Sequence, residues 1–219
     1  MAAFKSIVWD WNGTLLDDVD DAVASLNSML AKRGFPPVDR AFYRARFRFP
    51  SRDFYAEIGL DLAHEDWNAI CEDFHSAFAA ANTRRLRDGA VEALEHFKKS
   101  GVRQFLLSAH REDLLLKDAE AAGIAGYFEE IAGTDNLDGA SKSLRAVRLF
   151  STALKGEDPA GALFVGDTLH DAEVAAETGA RCLLLTCGHQ EKRRLLAAGC
   201  PLADSLSSLP AAIRALEAA

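Results

Sequence analysis

Cysteine is scarce and scattered, with Cys71, Cys182, Cys187 and Cys200 the only four in 219 residues and none in C-x-x-C spacing. That pattern gives no disulfide framework. Cys182, Cys187 and His189 lie close enough in sequence to suggest a metal site, yet reduced thiols in and beside a strand account for them. Positive charge is also short: 25 Lys and Arg stand against 33 Asp and Glu, for a net charge of −8, and no extended basic stripe occurs. Nucleic acid and anionic membrane surfaces are therefore not expected partners. An anionic small substrate stays open, because a bound divalent cation can outweigh the global charge locally. No stretch approaches the ~20 apolar residues of a membrane span, and the amino terminus carries no basic segment followed by a long apolar one. A cytoplasmic protein is expected. Internal repeats and low-complexity segments are lacking too. What is present is a 49% hydrophobic chain, able to bury roughly 70% of its surface as one large domain or as a core with a small insert.

The pattern along the chain divides it. A short apolar run, Ile7 to Trp9, is followed by about 70 residues without a strand pattern. Ala22, Val23, Leu26, Met29 and Leu30 recur at helical spacing, and Gly34, Pro36 and Pro37 end that helix. Asp39 can start the next, Pro50 and Ser51 break the chain again, and a longer helix is expected from about Glu65 to Asn82. From Asp88 and Gly89 onward helices and strands alternate. Strands are expected at Arg103 to Ser108, Glu130 to Ala132, Ala162 to Val165 and Cys182 to Thr186, with two helices after the last. Alternation of this kind implies an α/β fold with a doubly wound parallel sheet. The expected division is an α/β core of residues 1–16 and 85–219, with a helical insert of residues 17–84.

Three of the strands end in polar side chains. Asp10 closes the first and opens a glycine turn, Trp11-Asn12-Gly13-Thr14. Ser108 closes the second, and Gly166-Asp167-Thr168-Leu169-His170-Asp171 follows the third. Ligands of open α/β sheets bind at the carboxyl ends of strands, so these groups converge on one edge. Asp10, held at a strand end before a tight turn, sits where a nucleophile belongs. Asp10, Asp167 and Asp171 together offer hard oxygen ligands for Mg²⁺. Asp171 could instead cap the helix that follows, Ser108 could cap its own helix, and Lys142 at a helix start could simply be solvated.

The ordered set of Asp10 with Gly13 and Thr14, then Ser108, Lys142, and Gly166-Asp167 with Asp171 resembles the haloacid dehalogenase superfamily of aspartate-nucleophile phosphatases, over the whole chain. The resemblance implies a Rossmann-like core with a mobile helical cap, a layout most like phosphatases of the phosphoglycolate type. It also implies Mg²⁺ held by Asp10, Asp167, Asp171 and the Asn12 carbonyl, and Lys142 orienting Asp10. Gly13, Thr14, Ser108 and Ala109 become phosphate-binding positions, and one of the cap arginines Arg44, Arg46, Arg48 or Arg52, with Arg52 put forward, would read a second anion. Hinges are expected near Asp17 to Asp18 and Thr83 to Arg87. The partner would be a small phosphorylated metabolite, and the protein a monomer or weak homodimer.

Two positions depart from the family pattern: Lys142 lies in Ser141-Lys142-Ser143 without the usual Gly-Lys-Pro, and Asn12 is the larger departure. Asn12 stands where most phosphatases of the family carry the aspartate that protonates the leaving group, a loss of about 10²- to 10⁴-fold. Slow ester hydrolysis, specialisation on good leaving groups and a phosphate binder with little turnover all follow as readings. A phosphonatase-type hydrolase, which uses a cap lysine, is a further alternative resting on Lys32, the one lysine of the insert. Restoring the acid by Asn12→Asp is expected to raise alkyl phosphate hydrolysis by about one to three orders of magnitude.

Overall fold

The computed structural model describes residues 4–81, 84–134 and 142–217. Six strands form one parallel sheet: β1 (Ser6–Trp9), β4 (Arg103–Arg111), β5 (Glu130–Thr134), β6 (Ala162–Gly166), β7 (Arg181–Leu185) and β8 (Leu202–Ala203), in the order β5-β4-β1-β6-β7-β8. Helices cover both faces, and the two-residue period of the strands sorts their side chains between two cores. Ile7, Trp9, Leu106, Leu163 and Val165 enter one cluster, while Val8, Phe105, Leu107 and Phe164 enter the other. Burial on both faces explains why these strands read as unbroken apolar runs. Two interior polar side chains are paired with each other: Trp9 Nε1 donates to Gln104 Oε1 (3.0 Å), and Gln104 Nε2 donates to the Leu94 carbonyl (3.0 Å).

Between β1 and α5 (Ala90–Lys99) lie four helices, α1 (Val19–Ala31), α2 (Arg40–Arg46), α3 (Ser51–Glu57) and α4 (Trp67–Ala80). They pack about a separate core that includes Leu26, Met29 and Leu30 of α1, Tyr43 of α2, Phe54 and Tyr55 of α3, and Ile70 and Phe78 of α4. Asp39 caps α2 by accepting from the Phe42 amide (2.7 Å), as Asp and Asn commonly do at helix starts. Helix α4 begins and ends about two residues inside the expected range, because Asp66 takes the cap by accepting from Asn68 N.

Three two-residue strands went unforeseen, β8 at the edge of the sheet and two others. β2 (Leu16–Asp17) and β3 (Arg85–Leu86) pair antiparallel where the chain leaves the sheet region and returns. Two residues are too few for periodicity to register. Asp17 reinforces the ribbon through Arg87 (3.3 Å) and Arg85 (3.8 Å). Of the two expected hinges, Thr83 lies outside the described residues. β4 also runs three residues beyond the expected end, with a register shift against β5 between Leu107 and Arg111. That irregularity falls at Ser108, whose Oγ accepts from the His110 amide (3.1 Å).

Candidate active site

Adjacent strands β4, β1 and β6 bring Ser108, Asp10 and Asp167 to one edge of the sheet, and the Asp10 amide extends the ladder to the Val165 carbonyl (2.9 Å). Asp10, Ser108, Lys142, Asp167 and Asp171 are all no more than 5% exposed. Lys142, the first residue of α7 (Lys142–Ser151), reaches both Asp10 Oδ1 and Asp171 Oδ1 at 2.5 Å. Burial alone would discharge this lysine, but the two carboxylates hold its pKa above the ordinary lysine range.

Asp171 is both a cap and a member of the cluster. Its Oδ2 accepts from the amides of Asp167 (3.1 Å) and Thr168 (2.9 Å) and from the Thr168 hydroxyl (2.8 Å), starting α8 (Leu169–Thr178), while Oδ1 faces Lys142. Asp167 is gripped between two stretches of backbone. A Cβ at Gly13 would lie 2.3 Å from Asp167 Oδ2 and one at Gly188 only 2.1 Å. Thr14 Oγ1 donates to Asp167 Oδ1 (3.2 Å) and the His189 amide to Oδ2 (2.5 Å).

The carboxylate oxygens of Asp10, Asp167 and Asp171 lie within 4.8 Å of one another, the one such group of metal-ligating side chains among the described residues. Burial, then the charges of Asp171 and Asp167, push the Asp10 carboxyl well above the carboxylate range despite Lys142. Burial likewise pushes Asp167 up to about 6, against the opposing pull of His189. For Asp171 burial is outweighed by Lys142 and the group stays low. Three buried carboxylates with one ammonium make an oxygen-only donor set with excess negative charge, which fits a hard divalent cation. Cys182, Cys187 and His189 form no such group, and all four cysteines are free thiols.

Asn12 turns to a neighbour that sequence reading passed over as part of a hinge. Its Nδ2 donates to Asp18 Oδ2 (2.7 Å), and the Gly13 amide donates to Asp18 Oδ1 (2.8 Å). Asp18 in turn faces His189 Nε2 at 3.3 Å, a charge pairing without hydrogen-bond alignment. His189 Nδ1 meets the Tyr43 hydroxyl at 3.0 Å. Burial would discharge the imidazole, but Asp18 and the other carboxylates push its pKa up to about 9, while the same pairing holds Asp18 low against its own burial. Asp18, His189 and Tyr43 are the residues missed. Only the loop after β7 gave a signal, since a strand beside β6 must end at the same edge.

Asp10, Asn12, Ser108, Ala109, Lys142, Asp167 and Asp171 all line one cavity between the sheet edge and the helices. Three expected substrate contacts are not placed on its wall. The Gly13 amide is spent on Asp18 and the Thr14 hydroxyl on Asp167, so both shape the acidic cluster instead. Arg52 is exposed, lies over the Trp67 ring (5.4 Å) and donates to the Leu62 carbonyl (3.3 Å). The lysine that a phosphonatase reading needs is also elsewhere: Lys32 is 55% exposed and pairs with Asp73.

Residues 7–185 match the haloacid dehalogenase-like hydrolase family. The chain belongs to that family. It is 31% identical over 197 residues to phosphoglycolate phosphatase 1 of Pseudomonas aeruginosa, covering 86% of this chain and 72% of that one. It is 27% identical over 193 residues to phosphoglycolate phosphatase of Caulobacter vibrioides, covering 85% and 81%. The crystal structure of a predicted phosphatase from Clostridium acetobutylicum superposes with a TM-score of 0.79 at 19% identity, over 98% of this chain and 99% of that one. The family relation extends through β7, so the chain is a hydrolase of phosphoglycolate-phosphatase-like type built on the family's core. No helix among the described residues is long and apolar enough to cross a membrane.

Proposed function

We propose that the protein is a Mg²⁺-dependent phosphatase of small phosphorylated metabolites, with Asp10 as nucleophile and residues 17–84 as its cap. The observation that carries this reading is the convergence of Asp10, Asp167, Asp171 and Lys142 at the sheet edge within one buried cavity. Asp10, Asp167, Asp171 and the main-chain carbonyl of Asn12 would hold the cation, which when bound offsets the charge of the transferring phosphoryl group.

A carboxylate oxygen of Asp10 attacks phosphorus as the ester oxygen departs, leaving an aspartyl-phosphate. Water then attacks that phosphorus, releasing inorganic phosphate and regenerating Asp10. Lys142 holds Asp10 in place and would screen phosphate charge, while Ser108 and the Ala109 amide would bind phosphoryl oxygens. Asn12 supplies no proton, so the leaving oxygen departs as an anion or takes its proton from solvent. Substrates with good leaving groups are therefore favoured. The competing reading, a phosphate binder with little turnover, draws on the same Asn12.

Incubation with Mg²⁺ and p-nitrophenyl phosphate separates the two. Turnover that disappears in Asp10→Asn and in EDTA is the expected result. Absence of turnover on p-nitrophenyl phosphate, acetyl phosphate and a panel of phosphometabolites would overturn the phosphatase in favour of the binder.

A further inference from the structure

The cavity has two unlike ends. At the sheet edge it is polar and charged, whereas the helical wall is largely apolar, with Leu26, Phe47, Phe74 and Phe78 on it and Ser51 and His75 among its polar members. A carboxylate or second phosphate on a metabolite is held most strongly by a cation on that wall. No Lys or Arg of the sequence falls outside the described residues, and among those described Lys142 is the one Lys or Arg lining the cavity.

The basic groups of residues 17–84 are engaged elsewhere. Arg44 donates to the carbonyls of Gly188 (2.8 Å), Thr186 (2.6 Å) and Gln190 (3.2 Å), which ties α2 to the loop after β7. Arg46 and Arg48 both pair with Glu57. Arg33 and Lys32 pair with Asp73, and Arg40 with Asp20. Arg52 lies over Trp67 and Arg84 over Phe78 (4.6 Å). Of the histidines on the wall, His189 has Tyr43 on one ring nitrogen and Asp18 by the other, and His110 faces Asp118 (3.5 Å).

A buried carboxylate without a partner is strongly disfavoured, whereas an apolar ring gains from every contact it makes on such a wall. The space is also small. At about 130 Å³ with both ends included, it is of the order of an engineered apolar cavity that admits benzene, about 150 Å³, which favours a small leaving group.

From this we infer that the substrate is a phosphate monoester whose leaving group is a single uncharged apolar group of about one aromatic ring, and that phosphorylated acids such as 2-phosphoglycolate are disfavoured. The inference rests on the phosphatase reading for the word substrate. The recognition itself does not depend on turnover. It also agrees with Asn12, because aryl leaving groups need little protonation.

Benzyl phosphate and 2-phosphoglycolate have alkoxide leaving groups of similar basicity, so their ratio of kcat/KM in Mg²⁺ reads recognition. Benzyl phosphate is expected to be favoured by about 30-fold or more, and Phe74→Ala to raise its KM about tenfold, as expected for a lost ring contact. Titration calorimetry with benzylphosphonate and phosphonoacetate makes the same comparison without hydrolysis, with benzylphosphonate expected to bind at least about tenfold tighter. Equal or tighter binding of phosphonoacetate, or faster hydrolysis of 2-phosphoglycolate, would overturn the inference and leave the phosphatase standing. No turnover of either ester or of acetyl phosphate, together with the expected phosphonate preference, would overturn the phosphatase and leave the inference standing.

Discussion

Restoring the missing acid is the most direct test of how the site is wired, and the structure alters the expected result. In the wild type, Asn12 Nδ2 donates to Asp18 Oδ2 at 2.7 Å. Asn12→Asp replaces that donor with a second carboxylate. At about 4 Å and an effective dielectric of about 20 the two charges repel by about 4 kcal/mol. One carboxyl of the pair therefore keeps its proton, shared between positions 12 and 18 instead of aimed at a leaving group. Asn12→Asp alone is expected to gain less than about tenfold on benzyl phosphate, below the range of a well-positioned acid. It should also lose roughly 5–15 °C in Tm, the equivalent of about 2–4 kcal/mol for a chain of this size. Exchanging the two groups, Asn12→Asp with Asp18→Asn, keeps a donor facing an acceptor and should gain about 100-fold or more. Asp18→Asn by itself, which strips His189 of its counter-charge, should gain nothing. Initial rates on benzyl and p-nitrophenyl phosphate, with thermal melts of all four proteins, check the cycle. A single Asn12→Asp as active as the double variant, at unchanged Tm, would refute the constraint placed on Asn12 by Asp18.

Three further outcomes follow from the same geometry. Lys142→Met should lower kcat on p-nitrophenyl phosphate by about 100-fold or more, the scale of losing one positioned charge stabiliser, as measured by initial rates on folded protein. His189, with a folded pKa of about 9 against about 6.5 in the free chain, stabilises the fold fully below pH ~6.5 and loses that contribution as pH rises through 9. Urea titrations of the metal-free protein at pH 6 and pH 9.5 should show a loss on the order of 2–3 kcal/mol that His189→Gln removes. Gly188→Ala, which drives a Cβ into Asp167, should cost about 3 kcal/mol and lower Tm by roughly 6–12 °C in a melt.

The parallel core was legible because its strands are buried on both faces and its helices end in clear stop signals. Asp10, Ser108 and Asp167 could be placed from the residues alone, since each closes an apolar strand run. Lys142 and Asp171 needed the family pattern, because a lysine at a helix start and an aspartate in a capping turn both have ordinary local uses, and Asp171 serves one of them here. The Asp18–His189–Tyr43 chain links positions up to 171 residues apart, and no local period encodes such a contact. Arg52 went the other way. On a short helix of mixed charge, sequence cannot tell which turn faces inward, and Ser51 faces the cavity instead. The strands β2, β3 and β8 are two residues each, shorter than any pattern can reveal.

The β2–β3 ribbon has a consequence for the history and engineering of the chain. Because Leu16 pairs with Leu86 and Asp17 with Arg85, the backbone departs and returns along neighbouring tracks about 4.8 Å apart. A linker of a few residues spans that gap, and the entropy of closing so short a loop is small. The four intervening helices are thus a cassette with both ends at one port. Exchanging the cassette would replace the helical wall of the cavity, while the strand-end carboxylates stay on the other side of the port.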